Sequence, residues 1–288
     1  MSHEKIDLLT DVLQRERALC RWDNEGGAGV SEPQMDPTLF DDRVPSPSSD
    51  AKACVVSCTP SASADLVFLL DVDNTLLDND RFAADLRVRL EQTFGAAESV
   101  RYWTIYAELR KQLGYADYLA TLQAFRIGLD DDPDLLQMSS FLLDYPFAER
   151  LYPRALEAIG HLRRLGLTAV LSDGDVVFQP RKIQQSGIWD AIEGRVLIYL
   201  HKERMLGAMQ QRFPARHYVM IDDKAQLLAA MKLVLGDKLT TVFVRQGHYA
   251  VEAAHKTIDP LPDRVIERIG DLCDHDLDWF TGLPQEHA

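Results

Sequence analysis

The spacing of apolar positions changes along this chain, and the changes divide it into regions. Residues 66–70 (Leu-Val-Phe-Leu-Leu) are an unbroken apolar run of strand length, as expected of a strand covered on both faces. The run ends abruptly in Asp71-Val72-Asp73-Asn74-Thr75. Beyond Asp78 the period becomes helical. Phe82, Leu86 and Leu90 are four apart; Tyr102, Trp103, Ile105, Tyr106 and Leu109 continue to Gly114; Tyr118, Leu119, Leu122 and Phe125 precede Gly128. Another helix is predicted over 133–143, with Pro146 and Pro153 marking the return.

From residue 154 onward helix and strand alternate. A helix over 154–165 is stopped by Gly166, and a strand over 167–171 ends in Ser172-Asp173-Gly174-Asp175. A short helix over 180–185 leads to a strand over 195–200, followed by His201-Lys202. A helix over 203–213 precedes a strand over 217–221 that ends in Asp222-Asp223-Lys224. A helix over 225–235, a fifth strand over 239–244 and a last helix over 263–272 complete the pattern. Such alternation predicts βαβ units and an α/β fold with a parallel sheet and right-handed crossovers.

The helical stretch inserted after the first strand reads as a separate cap. Its aromatic cluster of Tyr102, Trp103, Tyr106, Tyr115 and Tyr118 suits a hydrophobic core first and a substrate pocket second. Upstream, Ile6, Leu9, Val12 and Leu13 mark a short amphipathic helix over 6–19, which docks on the main domain or meets a partner. Residues 23–63 are rich in Gly, Pro and Ser and read as a linker or disordered arm. The expected domains are an N-terminal extension over 1–63, an α/β core over 64–78 and 150–288, and a helical cap over 79–149.

Composition narrows the function. The 288 residues suffice for one large or two moderate domains. With 31 Lys plus Arg against 45 Asp plus Glu, the formal charge of −14 argues against nucleic acid or an anionic membrane as a partner. It also means that an anionic substrate needs local cations. The four cysteines make no disulfide framework: Cys54 and Cys58 stand in a lone C-x3-C, and Cys20 and Cys273 read as inert thiols. No apolar run approaches the roughly 18–20 residues that span a bilayer, and the amino terminus lacks a secretory apolar segment. The expected setting is a soluble, reduced, cytoplasmic protein, monomeric or homodimeric, with the N-terminal arm open to a protein partner.

Four strands end in polar residues: Asp71 and Asp73, then Ser172, then Lys202, then Asp222 and Asp223. In a parallel sheet all carboxyl ends lie on one edge, where ligands of open α/β sheets bind. Clustered carboxylates without Cys or His favour a hard, oxygen-seeking cation, and Mg²⁺ is the usual choice where phosphate is handled. Beside a cation and a lysine, one carboxylate can attack phosphorus and another can move protons to the leaving group and from water.

These residues resemble the four motifs of the haloacid dehalogenase (HAD) superfamily, over roughly residues 65–250. Asp71-Val72-Asp73-Asn74-Thr75 matches its D-x-D-x-T motif, Ser172 the strand-ending Ser or Thr, Lys202 the lysine, and Asp222-Asp223 the acidic pair. The resemblance implies a Rossmann-like HAD core with a helical C1 cap that closes over small phosphorylated metabolites. It makes Asp71 the nucleophile and Asp73 the acid/base, and assigns phosphate binding to Thr75, Ser172, Asp173 and Lys202. Mg²⁺ is then held by Asp71, the backbone carbonyl of Asp73 and a fourth-motif acid. Alignment with the commoner Gly-Asp form favours Asp223 as the direct ligand, with Asp222 direct or through water. The second aspartate points to phosphate chemistry, since the dehalogenase branch lacks that acid.

The expected activity is therefore Mg²⁺-dependent hydrolysis of a small phosphomonoester through an aspartyl-phosphate. The alternatives are a phosphotransferase or mutase with the same intermediate, and a binding or regulatory module whose working part is the N-terminal arm. Arg81 at the expected hinge could meet a substrate anion or pair on the surface. Arg181 and Lys182 compete with Lys202 for phosphate, from a poorer position near a helix start. Gln246, Gly247, His248 and Tyr249 read as a loop at the site rim. His201 has a ring that can titrate near neutrality, and residues 271–278 read as a solvated acidic face.

Overall fold

The computed structural model describes residues 64–129, 132–253 and 257–282. The amphipathic helix expected over 6–19 and the arm up to residue 63, with Cys20, Cys54 and Cys58, lie outside the described residues.

The first apolar run is β1 (Ala64–Leu70). After it come helices α1 (Asn79–Phe94), α2 (Ala96–Leu113), α3 (Tyr118–Phe125) and α4 (Asp134–Leu143), with no strand between them among the described residues. The alternating half follows: α5 (Ala155–Leu165), β2 (Leu167–Asp173), α6 (Phe178–Gln185), α7 (Ile188–Ala191), β3 (Val196–Tyr199), α8 (Leu206–Arg212), β4 (Ala215–Asp222), α9 (Ala225–Leu235), β5 (Leu239–Val244), α10 (Gly247–Ala253), β6 (Arg264–Ile266) and α11 (Leu277–Thr281).

Among the described residues the six strands are parallel, in the order β3-β2-β1-β4-β5-β6. β1 is therefore interior, and the order reverses between it and β4, the place where open α/β sheets bind ligands. Alternation along β1 explains its continuous apolar run. Leu66, Phe68 and Leu70 enter the hydrophobic cluster on one face, while Val67 and Leu69 enter the cluster on the other with Leu206, Met209, Leu228 and Met231. Both faces are dry, so both parities of position are apolar.

Two departures from the sequence reading come from hydrogen bonds to residues distant in the chain. The predicted helix over 263–272 is instead β6 followed by a 3-10 segment, Ile269–Asp274. Asp263 accepts from the Thr241 backbone at 2.8 Å and from Lys232 Nζ at 2.9 Å, which lays the following residues along β5. The helix expected over 203–213 is split into a 3-10 turn, Lys202–Arg204, and α8, because Asp173 Oδ1 takes the Lys202 N–H at 2.7 Å. The rim segment read as a loop forms α10 from Gly247.

The chain leaves the sheet after β1 and returns to it beside its own exit. Asp78 N–H donates to Arg150 O at 2.7 Å and Tyr152 N–H to Leu76 O at 3.0 Å, with an antiparallel bridge between Leu77 and Leu151. Inside the insertion Phe82 is the centre of an aromatic cluster, 5.1 Å from the Tyr118 ring, 4.9 Å from Tyr145 and 5.7 Å from Phe178 of α6. Tyr102 and Tyr118 are buried, and the Tyr102 hydroxyl donates to Tyr118 O. The aromatics at helical spacing are thus mainly core.

Candidate active site

Strand register brings the polar ends together. Leu70 is level with Val170 of β2 and Ile221 of β4, so Asp71, Leu171 and Asp222 emerge in line one residue later. Asp71 N–H donates to Ile221 O at 3.0 Å. One carboxylate oxygen from each of Asp71, Asp222 and Asp223 lies within 4.8 Å of the others, and all three residues are buried.

Lys202 answers part of this charge. Its Nζ lies 2.5 Å from Asp71 Oδ1, 2.7 Å from Asp222 Oδ2 and 3.3 Å from Leu171 O. Burial opposes its charge, but the Asp222 and Asp71 carboxylates outweigh that and raise the ammonium above its ordinary range. Asp222 Oδ1 also accepts the Lys224 N–H at 2.8 Å. By contrast, neither carboxylate oxygen of Asp223 has a hydrogen-bond partner among the described residues. Burial and then the Asp222 and Asp71 charges push the Asp223 carboxyl well above the usual carboxylate range.

A buried carboxylate with both oxygens orphaned is costly unless something occupies them. The donor set at this corner is oxygen only, which suits a hard divalent cation. The residues therefore fit Mg²⁺, with Asp71, Asp222 and Asp223 as its carboxylate holders.

The remaining predicted residues surround this corner. Thr75 Oγ1 donates to Asp71 Oδ2 at 3.3 Å. Ser172 is buried, and its Oγ accepts from Gln179 Nε2 at 3.0 Å. Asp173 turns away to hold the Lys202 backbone. Asp73 lies off the carboxylate corner: its Oδ1 pairs with Lys182 Nζ at 2.6 Å and its Oδ2 accepts from Gln179 Nε2 at 3.2 Å. Asn74, at φ 59°, caps α1 through Oδ1, which accepts from the Asn79 and Asp80 N–H groups at 3.0 and 3.2 Å. Gly247 packs so closely on it that a Cβ there would come within 2.6 Å of Asn74.

A cavity of about 380 Å³ opens beside the corner, lined by Gly114, Asp173, His201, Lys224, Gln226 and Tyr249 among others. The insertion reaches its rim: Arg110 of α2 donates to the Tyr249 hydroxyl of α10. Lys224 Nζ stands 5.0 Å from the same ring. Arg81, the hinge candidate, has a largely exposed side chain 3.6 Å from Asp85.

Lys182 is where the sequence reading fell short. The sequence places it behind Lys202 as a phosphate ligand, whereas it is 1% exposed and bound to Asp73. Gln179, Asn79 and Lys224 were given no role. A signal existed for the first pair: Phe178, Gln179, Lys182 and Ile183 share the buried face of α6, so two polar residues sit on an inward-facing stripe.

Known proteins match this arrangement. The haloacid dehalogenase-like hydrolase family profile matches residues 66–234, more than half of the chain. A haloacid dehalogenase-like hydrolase from Burkholderia xenovorans LB400 is similar at 58% identity and a TM-score of 0.71, over 75% of this chain and 98% of that one. A HAD phosphatase from Thermococcus onnurineus is similar at 18% identity and a TM-score of 0.53, over 72% and 96%. The L-2-haloacid dehalogenase of Xanthobacter autotrophicus is similar at 18% identity and a TM-score of 0.48, over 72% and 96%. At such identity the phosphatase likeness speaks to the fold alone, and the dehalogenase likeness carries no argument. No curated protein matches at a significant level. With its profile match, a parallel sheet of the same kind and the polar strand ends gathered on one edge, the chain belongs to the haloacid dehalogenase-like hydrolases and is an enzyme of that family.

Proposed function

We propose that this enzyme is a Mg²⁺-dependent phosphatase of a small phosphorylated metabolite, acting through an aspartyl-phosphate on Asp71. The observation that carries the reading is the buried trio of Asp71, Asp222 and Asp223, with both Asp223 oxygens unpartnered among the described residues. When bound there, Mg²⁺ supplies positive charge against the phosphoryl oxygens and the carboxylates.

The chain's own groups account for the steps. Asp71 attacks phosphorus with a carboxylate oxygen, an O–P bond forms, and the bond from phosphorus to the ester oxygen breaks. Asp73 gives the leaving oxygen its proton. Water then attacks the aspartyl-phosphate, Asp73 takes the proton back, and inorganic phosphate leaves as the Asp71 carboxylate is restored. Lys202 holds the nucleophile in place through its contact with Asp71 Oδ1, while Thr75 and Ser172 offer hydroxyls toward the phosphoryl group. The helical insertion acts as the cap: α2 carries Tyr106 and Arg110 toward the site, and its movement excludes water when substrate is bound. A second acid at Asp73 favours phosphate over halide chemistry, because an alkoxide leaving group needs a proton and a halide does not.

The test is a panel of phosphomonoesters with Mg²⁺, run beside Asp71→Asn. Release of inorganic phosphate by the wild type, lost on chelation and in the variant, is the expected result. Undiminished hydrolysis in excess chelator, or no turnover of any phosphoester, overturns the reading.

A further inference from the structure

The proposed chemistry gives no task to Lys182, yet its placement is among the most constrained in the chain. It is a buried ammonium on α6, and such a charge is tolerated only with close partners. Its Nζ donates to Asp73 Oδ1 at 2.6 Å and to Asn79 Oδ1 at 3.2 Å, 5.2 Å from the Phe178 ring centroid. One turn earlier, Gln179 Nε2 reaches Asp73 Oδ2 at 3.2 Å and Ser172 Oγ at 3.0 Å. Each carboxylate oxygen of Asp73 is thus held by a different residue of one helix. Asp73 lies in the irregular segment after β1 with its side chain 26% exposed, so the backbone alone would leave it several rotamers.

We infer that Lys182, together with Gln179, is the positioning residue of Asp73, the acid/base of the phosphatase reading on which this inference rests. The clamp does more than neutralise charge. Gln179 ties Asp73 to the hydroxyl of Ser172, and Asn79, the first residue of α1, ties it to the start of the insertion. The neighbouring Arg181 points to the far side of α6, where it donates to Leu143 O at 3.0 Å and pairs with Asp144 at 2.7 Å; Gln185 also donates to Leu143 O, at 2.8 Å. One helix therefore grips the end of α4 and orients Asp73, so the seat of the insertion and the aim of the acid/base are set together.

Leaving-group dependence tests this. Lys182→Met keeps the length and removes the donor. With an alkyl phosphate, whose alkoxide needs a proton, kcat/KM, which ends at phosphoryl transfer to Asp71, is expected to fall about 10–100-fold; with p-nitrophenyl phosphate, whose leaving group departs unprotonated, kcat/KM falls by less than about threefold. In an Asp73→Asn background Lys182→Met adds no further loss on either substrate. Equal losses in kcat/KM on both substrates, or losses that multiply with those of Asp73→Asn, overturn the inference, since a purely structural lysine behaves that way. If Lys182→Met shows no cooperative thermal unfolding, Gln179→Met is put through the same comparisons and the same outcomes decide. Normal dependence on Asp73 without dependence on α6 refutes the positioning alone. A wild type that turns over no phosphoester of the panel refutes the phosphatase reading and the positioning with it.

Discussion

Two acidic clusters in this molecule are built on opposite principles. In the insertion, Asp85 accepts from Tyr145 at 2.5 Å, pairs with Arg150 at 2.9 Å and has Arg81 at 3.6 Å, so one carboxylate faces two guanidinium groups and a phenol. Burial opposes the Asp85 charge, but Tyr145 and Arg150 outweigh it and hold the carboxyl below its ordinary value. At the ends of β1 and β4 three buried carboxylates crowd together, and Lys202 reaches only Asp71 and Asp222. There, burial and like charge raise Asp222 and, further, Asp223. The first cluster is satisfied within the chain and serves folding. The second is left short of positive charge, which suits a site that receives it from a ligand.

The largest effect that probes this contrast is on turnover. Asp71→Asn removes the nucleophile while leaving a side chain of the same shape, and should lower kcat on the preferred phosphoester by about 10⁴-fold or more. Steady-state phosphate release measures it, and near-normal activity would make the corner a structural feature like the Asp85 cluster.

Next is the response to cation. Mg²⁺ at a hundredfold excess over its dissociation constant should stabilise the wild type by about 2.7 kcal/mol, read as a rise in unfolding midpoint that a chelator reverses. Asp223→Asn should erase that response and make the cation-free protein more stable, by about 1–3 kcal/mol, because it removes an unpartnered buried carboxylate. A variant that keeps the Mg²⁺ response takes Asp223 out of the site.

The same carboxylate sets a pH dependence whose sign is opposite to that of an ion-paired aspartate. Its folded-state pKa lies well above the 3.8 of the free side chain, so in the cation-free protein its stabilising protonation is complete below that value and is lost as pH rises through the folded pKa. Unfolding midpoints should therefore fall with rising pH above about 4 more steeply in wild type than in Asp223→Asn. Identical slopes would show that Asp223 does not titrate differently on folding.

The smallest effects belong to the balanced cluster. Arg150→Met should cost about 1 kcal/mol in stability, since the partly exposed pair can hydrate, and it should leave the Mg²⁺ response intact. Arg81→Gln should cost less than about 0.5 kcal/mol, given its largely exposed side chain.

The alternating half of the fold was legible because each of its strands carries a local apolar signal and a turn signal after it. β6 was not, since Val265 and Ile266 fit a helix or a strand equally well and their pairing depends on Asp263 binding Thr241 and Lys232 far back in the chain. The candidate site shows the same division. Asp71, Asp222 and Lys202 could be named from their places after apolar runs. Lys182 is not legible in the same way, because a lysine on a short helix looks like surface until the helix's buried face is known.

Residue order by itself determined which side chains end the strands and that a helical segment follows the first one, because apolar period and turn chemistry act over a few residues. Tertiary structure decided what those side chains do to one another. Strand register set Asp71 level with Asp222, burial left Asp223 without a partner among the described residues, and the docking of α6 turned Lys182 and Gln179 onto Asp73. These outcomes depend on distances between segments far apart in the chain, and electrostatic energies in a dry interior change steeply with such distances. No local pattern of residues encodes them.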